Sequence, residues 1–376
     1  MFVLVLARGL PSPRSPHWGI FELDQARALR AAGHRVAIAA LDLRSARRMR
    51  RLGLRHRLVD GTDVHTLSLP IGPIPGGVDQ AALDAGFELL WSRVVASHGT
   101  PDVVHAHFTR YGLAAARSRH RSAFRLVVTE RDPRFSPQGI PVSLRRSAAE
   151  AFRGADAVLA VSEALSEVIS AAFDLPVPVV PDIVDVDSFA GRARREHDGI
   201  RLVSVGSLVP RKRMDLLVDG FARAFSGRPE VRLAVLGKGA QRERLEAAVT
   251  AAGLQGRVEL LGHQSRSRIV EEFSRSDGFV LLSQWEVFGV VFVEAMGAGL
   301  PVLSSRCGGP EGFLHEGVGM FADTTDVAAA ARSLERFVRH FPDWDAEHIR
   351  AEARQVFTPA CVAAQLTDVY ARACSQ

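Results

Sequence analysis

Short apolar runs alternate with longer amphipathic stretches along the whole chain. A run at residues 2–6 is followed by a loop, an amphipathic stretch at 20–32 and a second run at 35–41, and the same order returns after residue 200. Short apolar runs bounded by loops predict buried strands, whereas longer amphipathic stretches that end at a glycine predict helices. Regular alternation of the two is typical of parallel sheets. We therefore predict an α/β fold with two Rossmann-like halves.

The length of the chain also favours two domains. At 376 residues the chain exceeds the usual size of a single domain, which is about 100 to 200 residues. A polar, charged connector at residues 191–199 separates two stretches in which the strand and helix pattern starts afresh. We therefore place a first domain at residues 1–188 and a second at 189–357, followed by a final predicted helix at 358–376.

Arginine gives the chain one strongly basic segment but only a mild overall charge. The net charge is +5, from 47 basic and 42 acidic residues, which does not favour a nucleic-acid partner. The charge is concentrated at residues 43–57, which contain no acid. The arginines of this segment are Arg44, Arg47, Arg48, Arg50, Arg51, Arg55 and Arg57. The segment predicts either a cationic surface for anionic lipid headgroups or an anionic acceptor, or an arginine-rich solvated helix.

No stretch of the sequence predicts export or a membrane span. The first apolar run is too short for a signal peptide and has no basic residues before it. The longest apolar stretch, at residues 287–303, is interrupted by a charged residue and by glycines. Cys307, Cys361 and Cys374 lack the spacing of metal ligands and fit reduced thiols. We therefore predict a cytoplasmic protein, with residues 43–57 as a candidate contact with the inner membrane face.

The candidate ligand-binding residues are most concentrated at residues 283–312. Glu286 falls in a predicted loop after a buried strand, and Glu294, separated from it by seven residues, falls on a helix that ends before Gly299. In a parallel sheet the loops that follow the strands bind ligands, and a helix that begins there directs free N–H groups at anions. We therefore predict that Glu286 and the backbone of residues 288–290 face one ligand. Two unrelated acids, one in a loop and one complementing a helix dipole, are the alternative interpretation.

This segment resembles a known family. Residues 286–302, EVFGVVFVEAMGAGLPV, resemble the E-x-F-G-x-x-x-x-E-A signature, followed by G-x-P-V, of glycosyltransferase family 4 (glycosyl transferases group 1). The resemblance implies the GT-B architecture, in which two Rossmann-like domains face each other across a cleft and the last helix packs back on the first domain. It also implies a retaining hexosyltransferase whose substrates are a nucleotide-diphosphate sugar, with UDP-sugar the first expectation, and a hydroxyl acceptor. No metal and no other cofactor is expected.

The resemblance further implies roles for residues of the second domain. Glu294 is expected to bind the ribose hydroxyls, Glu286 the hydroxyls of the donor sugar, and Arg211 and Lys212 the diphosphate, where they would stabilise developing negative charge. Solvated loop cations are the alternative for this last pair. The other expected donor-binding residues are Gly206, Gly237, Gly239, His263, Val287, Phe288, Gly289 and Val290.

In the first domain the resemblance is carried by a histidine motif and by the first loop. The segment DVVHAH at residues 102–107 resembles the D-V-x-H-x-H pattern of the family, which implies a functional His107 and a structural His105. Gly19 opens a stretch similar to the end of the first loop in the family, which implies close approach of the backbone to a sugar. A plain turn before the helix is the alternative for this glycine.

Two positions of the first domain depart from the pattern of the family. Arg131 stands where a histidine is common, and Asp182 with Ile183 replaces the usual Asn-Gly of the closing loop. Residues 185–187 also spell D-x-D, a motif of metal-dependent nucleotide-sugar sites, although their place in the closing loop favours a structural role.

Other functions fit the same fold. A nucleotide-sugar epimerase would need no acceptor, and a non-catalytic protein that binds sugar nucleotides would show no turnover. The sequence leaves the acceptor open between a lipid-linked glycan or glycolipid and a small soluble compound such as an aminocyclitol or another natural product.

Overall fold

The computed structural model describes residues 1–12, 14–16, 18–45, 51–71, 78–119, 123–190 and 198–375. The chain forms two units, of which the first comprises Met1–Ile183 with Pro359–Gln376 and the second comprises Val184–Thr358. The first division lies before the predicted boundary at residue 188. The reason is that residues 184–190 are held by the second unit, where the Val184 N–H donates to the Phe357 carbonyl at 2.9 Å.

The first unit is built on a seven-stranded sheet. Its strands are β1 (Phe2–Ala7), β2 (Arg35–Asp42), β3 (Gly53–Val59), β4 (Thr62–Ser68), β5 (Val103–His107), β6 (Arg125–Glu130) and β7 (Ala157–Ala160). Their order is β3-β4-β2-β1-β5-β6-β7, and only the pairing of β3 with β4 is antiparallel. β1 is buried along its whole length, as an apolar central strand is when helices cover both faces of a parallel sheet.

In the described part of the first unit, four helices connect strands of this sheet and a further one follows β7. They are α1 (Ile20–Ala31), α2 (Val78–His98), α3 (Thr109–Ser118), α4 (Val142–Arg153) and α5 (Glu163–Phe173). The N-cap of α5 is Ser162, whose hydroxyl oxygen accepts from the Leu165 N–H at 3.2 Å.

The second unit is built on a six-stranded parallel sheet with the order β10-β9-β8-β11-β12-β13. Its strands are β8 (Ile200–Val205), β9 (Val231–Leu236), β10 (Val258–Gly262), β11 (Gly278–Leu281), β12 (Val302–Ser305) and β13 (Gly319–Ala322). Its helices are α6 (Asp187–Ala190), α7 (Met214–Phe225), α8 (Arg242–Ala251), α9 (Arg266–Ser274), α10 (Val290–Gly297), α11 (Val327–Arg339) and α12 (Ala346–Phe357).

The last helix, α13 (Pro359–Ser375), belongs to the first unit. Its apolar face enters the core of that unit through Val362, Leu366, Val369 and Tyr370, which pack with residues of β1, β2 and α1. The Tyr370 hydroxyl also lies 2.6 Å from His105 Nδ1, so a polar contact supplements the apolar packing. None of the helices in the described part of the chain is both long and apolar enough to cross a membrane.

Both sheets have a point at which the strand order reverses. In the first sheet this point lies between β1 and β5, and in the second it lies between β8 and β11. Open α/β sheets bind ligands just beyond the carboxyl ends of the two strands at such a point, because the following loops diverge there and leave a crevice. The fold thus directs attention to the loops after β1, β5, β8 and β11.

The basic segment at residues 43–57 lies partly outside the described residues, which omit Arg47, Arg48 and Arg50. Residues 53–57 of this segment belong to β3, so the solvated-helix alternative is wrong for them. Arg55 and Arg57 are exposed on this edge strand. Arg44 differs, because its guanidinium pairs with Asp42 at 2.6 Å and is largely buried.

Candidate functional site

The loops that follow β8 and β11 bring opposite charges together at the switch point of the second sheet. Lys212 ends a short 3-10 helix after β8, and Glu286 lies in the loop after β11. The Lys212 ammonium donates to Glu286 Oε1, and Arg211 Nη1 lies 3.6 Å from Glu286 Oε2. Two cations against one carboxylate leave a net positive charge, which suits an anionic ligand. Three residues that the sequence singled out therefore form one cluster.

Glu286 is fixed through its backbone as well as its side chain. The Ser283 hydroxyl donates to Glu286 Oε1 at 2.5 Å. The Glu286 N–H donates to the Cys307 carbonyl at 2.7 Å, and the Gly309 N–H donates to the Glu286 carbonyl at 2.8 Å. Because these bonds tie the loop after β11 to the loop after β12, the carboxylate is held in one orientation before any ligand binds.

The start of α10 offers backbone rather than side-chain groups. Gly289 precedes the helix at φ 88°, and a Cβ there would lie 2.6 Å from the Phe292 ring, so only glycine fits. The Phe288 ring is buried, with ring centroids 5.8 Å from Phe313 and 5.6 Å from Phe357, and it serves the core. The first N–H groups of a helix lack intrahelical acceptors, so the amides of Val290 and Val291 are available to an anion, whereas the Phe292 N–H donates to the Gly289 carbonyl at 2.9 Å.

Glu294 lies one turn into α10 and is half-buried. Among the described residues no side chain forms a hydrogen bond or an ion pair with its carboxylate. Burial raises the pKa of Glu294 to about 7, and the charge of Arg266 opposes this shift only in part. The half-buried carboxylate therefore has no donor from the described side chains, and hydroxyl donors from a ligand would stabilise its ionised form.

The glycines of the second unit have an immediate packing role. A Cβ on Gly237 would lie 1.8 Å from the Gly206 carbonyl oxygen, and one on Gly239 would lie 2.2 Å from the Leu208 carbonyl oxygen. These glycines therefore let the loops after β8 and β9 touch each other. His263 is exposed just past the carboxyl end of β10, on the same edge of the sheet. Contact of Gly206, Gly237, Gly239 and His263 with a nucleotide stays a prediction.

In the first unit, β5 delivers two stacked histidines with different surroundings. The ring centroids of His105 and His107 lie 4.8 Å apart. Both ring nitrogens of His105 have partners, with Tyr370 Oη 2.6 Å from Nδ1 and Thr129 Oγ1 2.7 Å from Nε2, and burial lowers its pKa to about 3. His107 is also fully buried, yet its Nε2 has no hydrogen-bond partner among the described residues. The structure thus separates a satisfied histidine from one with an unused polar atom.

Arg131 and Asp182, the two departures from the family pattern, form one buried ion pair. Arg131 Nε donates to Asp182 Oδ1 at 2.6 Å, and the side chains are only 8% and 5% exposed. Arg131 Nη1 also donates to His107 Nδ1. An Nδ1 that accepts requires the proton on Nε2, so Arg131 makes the free Nε2 of His107 a donor. Burial, followed by the charge of Arg131, holds the pKa of His107 well below its usual value, so the ring stays neutral.

Sequence reasoning missed a second charged group beside this histidine. Arg8 directly follows β1, its Nε lies 3.4 Å from Glu22 Oε1, and its guanidinium stacks on Trp18 and Phe108. Glu22 is fully buried on the first turn of α1. The signal that could have found Arg8 is its position at the carboxyl end of the central strand.

Two backbone features accompany this group. Phe108, which follows His107, has φ 69°, an unfavourable value for a residue with a side chain and one that often marks a functional site. Gly19 has φ 74°, and a Cβ there would lie 2.1 Å from the Gly9 carbonyl oxygen. The close approach that the structure shows at Gly19 is therefore to the backbone of Gly9, whereas its contact with a sugar stays a prediction.

The carboxylates of the D-x-D motif form ion pairs with arginines of the same unit. Asp185 Oδ2 lies 3.7 Å from Arg266, and Asp187 accepts from Arg354 at 2.7 Å. These pairs agree with the structural role that was expected. Within the described ranges, the grouping of metal-ligand side chains that the structure does form lies elsewhere in the first unit, at His56, His65 and His98.

Comparison with solved structures defines the class of fold. The chain superposes on sucrose-phosphate synthase from Thermosynechococcus elongatus with a TM-score of 0.82 over 99% of this chain and 98% of that one. The sequences are 20% identical over this alignment, so the likeness shows the fold alone. The fold is that of the GT-B glycosyltransferases, with two Rossmann-like halves, as the sequence predicted.

Two adjoining family profiles account for most of the chain. The profile described as Glycosyltransferase Family 4 matches residues 22–188, and the profile described as Glycosyl transferases group 1 matches residues 187–355. The chain belongs to glycosyltransferase family 4.

Curated relatives match parts of the chain. The lipopolysaccharide core biosynthesis glycosyltransferase LpsE of Rhizobium meliloti is 35% identical over 36% of this chain and 39% of its own length. The GDP-mannose-dependent alpha-mannosyltransferase of Mycobacterium tuberculosis is 34% identical over 56% of this chain and 57% of its own length. The matched segments therefore span well under two thirds of either relative.

Proposed function

We propose that the chain transfers a sugar from a nucleotide-diphosphate sugar to a hydroxyl acceptor with retention of the anomeric configuration. The observation that carries the proposal is the arrangement at the second switch point, where the Lys212–Glu286 pair lies in front of a helix that bears Glu294 without a partner. A pyrophosphate needs cations and helix amides, a ribose needs a hydrogen-bond acceptor, and a sugar needs an oriented carboxylate. All three kinds of group are present in the second unit.

The choice of lysine at residue 212 supports a role at the diphosphate. The chain contains lysine only at residues 212 and 238, although Lys and Arg together number 47. Lys212 and Lys238 follow the neighbouring strands β8 and β9. An ammonium is a compact charge that fits where a planar guanidinium does not, and the Lys212 side chain is only 13% exposed. We infer that Lys212 contacts a leaving phosphate oxygen while Arg211, which is 38% exposed, covers the outer phosphate.

The chemistry follows from this placement. The bond between the anomeric carbon and the diphosphate oxygen breaks, a new bond to the acceptor oxygen forms on the same face, and the acceptor proton passes to the departing phosphate. Arg211 and Lys212 would stabilise the negative charge that develops on that phosphate, which is the task a divalent metal performs in other transferases. We therefore expect turnover in the presence of EDTA.

The carboxylates would divide the donor between them. Glu286 would accept from hydroxyls of the sugar, and Glu294 would accept from those of the ribose. His107, in the other unit, would donate from its Nε2–H to a hydroxyl, and this role is supported by the buried, unpartnered state of that atom. UDP-sugars are our first choice of donor, although the mannosyltransferase relative is named for GDP-mannose, so both nucleotides must be tested.

Donor turnover with and without acceptors distinguishes the candidate functions. A panel of UDP-sugars and GDP-mannose is incubated with the chain in EDTA, and both the released nucleoside diphosphate and the sugar products are measured. We expect release that depends on an acceptor, with glycolipids and small polyols tested separately, and a product of retained configuration. Conversion of the sugar without an acceptor would instead identify an epimerase, and binding without conversion would identify a non-catalytic protein.

Lys212→Ala tests the assigned chemistry directly. Loss of one preorganised charge at the leaving group should lower kcat by a factor of about 10² to 10³. The matched control is Arg228→Ala. This variant removes a cation that pairs with Glu230 just before β9, at the amino ends of the strands, whereas Lys212 follows the carboxyl end of β8. Turnover by Lys212→Ala at the rate of the control would refute the assignment.

A further inference from the structure

A tight hairpin sets the partners of two histidines at the edge of the first sheet. Asp60 and Gly61 form a two-residue turn with φ 49° and 72°, which is the geometry that matches the twist of two antiparallel strands. This turn fixes the register of β3 and β4 so that His56 lies directly opposite His65. Side chains alternate between faces along a strand, so Asp63 shares the face of His65. Three potential metal ligands thus stand on one face of the hairpin.

The last residue of α2 adds a fourth ligand to that face. His98 Nε2 lies 3.2 Å from His65 Nε2 and 4.0 Å from Asp63 Oδ1. His56 Nε2 lies 2.7 Å from the same Asp63 oxygen. The ligand atoms of the three histidines all lie within 4.8 Å of one another. Residues from two strands and one helix therefore converge on a single point.

We infer that His56, His65, His98 and Asp63 form a binding site for a divalent transition metal, of which zinc is the best fit. Three imidazoles and one carboxylate form a ligand set that zinc accepts in tetrahedral geometry. Zinc–nitrogen bonds of about 2.0–2.1 Å place two tetrahedral ligands about 3.3 Å apart, close to the separation of His65 from His98. His56 is 53% exposed, so close packing does not confine its ring.

Neighbouring groups position His65 and His98, the less exposed ligands of this site. His65 is only 5% exposed, and its ring centroid lies 4.6 Å from that of His56 and 5.4 Å from that of His98. The backbone of His98 is held in place because Arg35 Nη2 donates to its carbonyl at 2.9 Å. Arg93 is a cation near His65 that opposes metal binding, whereas the carboxylate of Asp63 favours it.

The position of the site indicates a structural metal rather than a catalytic one. Asp63 stands at the beginning of β4, and His98 precedes β5, so the ligands lie at the amino ends of parallel strands. His107 stands at the opposite, carboxyl end of β5. A bound ion would join β3, β4 and α2, and it would stabilise the folded chain by mass action.

The test uses the full chain without a histidine tag, stripped of metal with a chelator that is then removed. Zinc is titrated in competition with a chromophoric chelator, and Co²⁺ is added to a parallel sample for its visible spectrum. We expect one tightly bound equivalent of zinc, a tetrahedral Co²⁺ spectrum and a higher melting temperature with zinc than with EDTA. His56→Ala and His98→Gln should each lower the zinc affinity at least about 10-fold, since even partners of metal ligands are worth that much.

The controls separate this site from other zinc-binding groups. His315 and His348 lie 3.9 Å and 3.8 Å from the two oxygens of Glu352, so the double variant His315→Ala/His348→Ala removes a histidine group of the second unit and should bind zinc like the unmodified chain. Melting in EDTA should be the same for His56→Ala and the unmodified chain, because His56 is exposed. Failure of the unmodified chain to bind zinc would overturn the inference. If His56→Ala and His98→Gln both bound zinc as tightly as the unmodified chain, the inference would also be overturned, because the zinc would then belong to other groups such as the cysteines of α13.

Discussion

The two switch points share the same sheet geometry, but their charged side chains differ in exposure and in pairing. In the second unit the cluster lies partly open, with Arg211 38% exposed, and Glu286 is held by the backbone of neighbouring loops. In the first unit the corresponding loops hold a buried network in which Arg131 joins His107 to Asp182. One site keeps a partly exposed net positive charge, whereas the other consumes most of its charge internally.

This difference teaches that equal positions in a fold need not have equal consequences when they are changed. An exposed cation can be removed with little effect on folding, because water replaces its partners. Removal of one partner from a buried pair leaves the other charge without compensation. Removal of Arg211, the exposed cation of the second switch point, should therefore act on turnover, whereas substitutions in the buried network at the first should act on stability before they act on turnover.

The largest expected effect is that of Arg131→Met. Asp182 would be left buried and unpaired, so the free energy of unfolding should fall by about 3–5 kcal/mol, measured by urea denaturation. Asp182→Asn in the same chain removes the uncompensated charge and should restore much of the loss. An exposed pair of the same unit, Arg117 with Glu150, provides the control, and Arg117→Met should cost less than about 1 kcal/mol.

Equal losses for Arg131→Met and Arg117→Met would show that the first site is not a buried network in solution. Where the double variant folds, its kinetics test the second part of the comparison. His107 would have lost the donor that fixes its proton on Nε2, so kcat/KM should fall although stability is recovered.

A smaller effect separates the two glutamates of the second unit. Glu294→Gln should raise the KM for the donor more than it lowers kcat, because a ribose contact far from the reacting bond mainly gives uniform binding. Glu286→Gln should do the reverse, since its carboxylate lies beside the sugar. Steady-state kinetics on both variants measure this, and identical kinetic profiles would contradict the division of roles.

The pKa of Glu294 adds a direction with pH to the same experiment. Its folded pKa of about 7 lies above the ordinary 4.5, so the chain without donor loses stability as pH rises from about 4.5 to 7. Ribose hydroxyls donate to the ionised form, so donor affinity should increase as pH rises through about 7 and then level off. Glu294→Gln should abolish this dependence, and donor affinity that is flat across this range in the unmodified chain would be the contrary result.

The smallest expected effect concerns the basic edge of the first unit. Arg51, Arg55 and Arg57 are exposed, and each arginine near an anionic membrane contributes about 1 kcal/mol. Their replacement by Gln should reduce flotation with anionic vesicles at low salt and leave donor binding unchanged. Salt should weaken the flotation of the unmodified chain, because exposed charges are screened over about 10 Å at 0.1 M.

A matched control removes three exposed arginines of the second unit, Arg228, Arg232 and Arg244. If both triple variants float alike, net charge rather than this edge is responsible. If the unmodified chain does not float, a soluble acceptor becomes the better candidate.

The sequence alone determined the alternation of strands and helices, the two Rossmann-like halves and the positions of Glu286, Glu294, Lys212 and His107. These features are local, because strand ends, helix starts and short motifs are recorded within a few consecutive residues. The structure places His107 at the end of β5, Lys212 and Glu286 between a strand and the following helix, and Glu294 on a helix, where the patterns predicted them. The domain boundary was displaced because tertiary contacts of residues 184–190, rather than composition, assign them to the second unit.

Only the tertiary structure decided which distant side chains meet. Arg131 and Asp182 are 51 positions apart, and His65 and His98 are 33 positions apart. No local sequence pattern can therefore show that either pair is in contact. The pairing of such residues depends on strand order and on where helices return to the sheet, which are set by packing of the whole unit. The sequence therefore revealed which residue types stand at the strand ends, while the packed sheet decided that one histidine is satisfied, another keeps a free donor, and a third is placed to bind a metal.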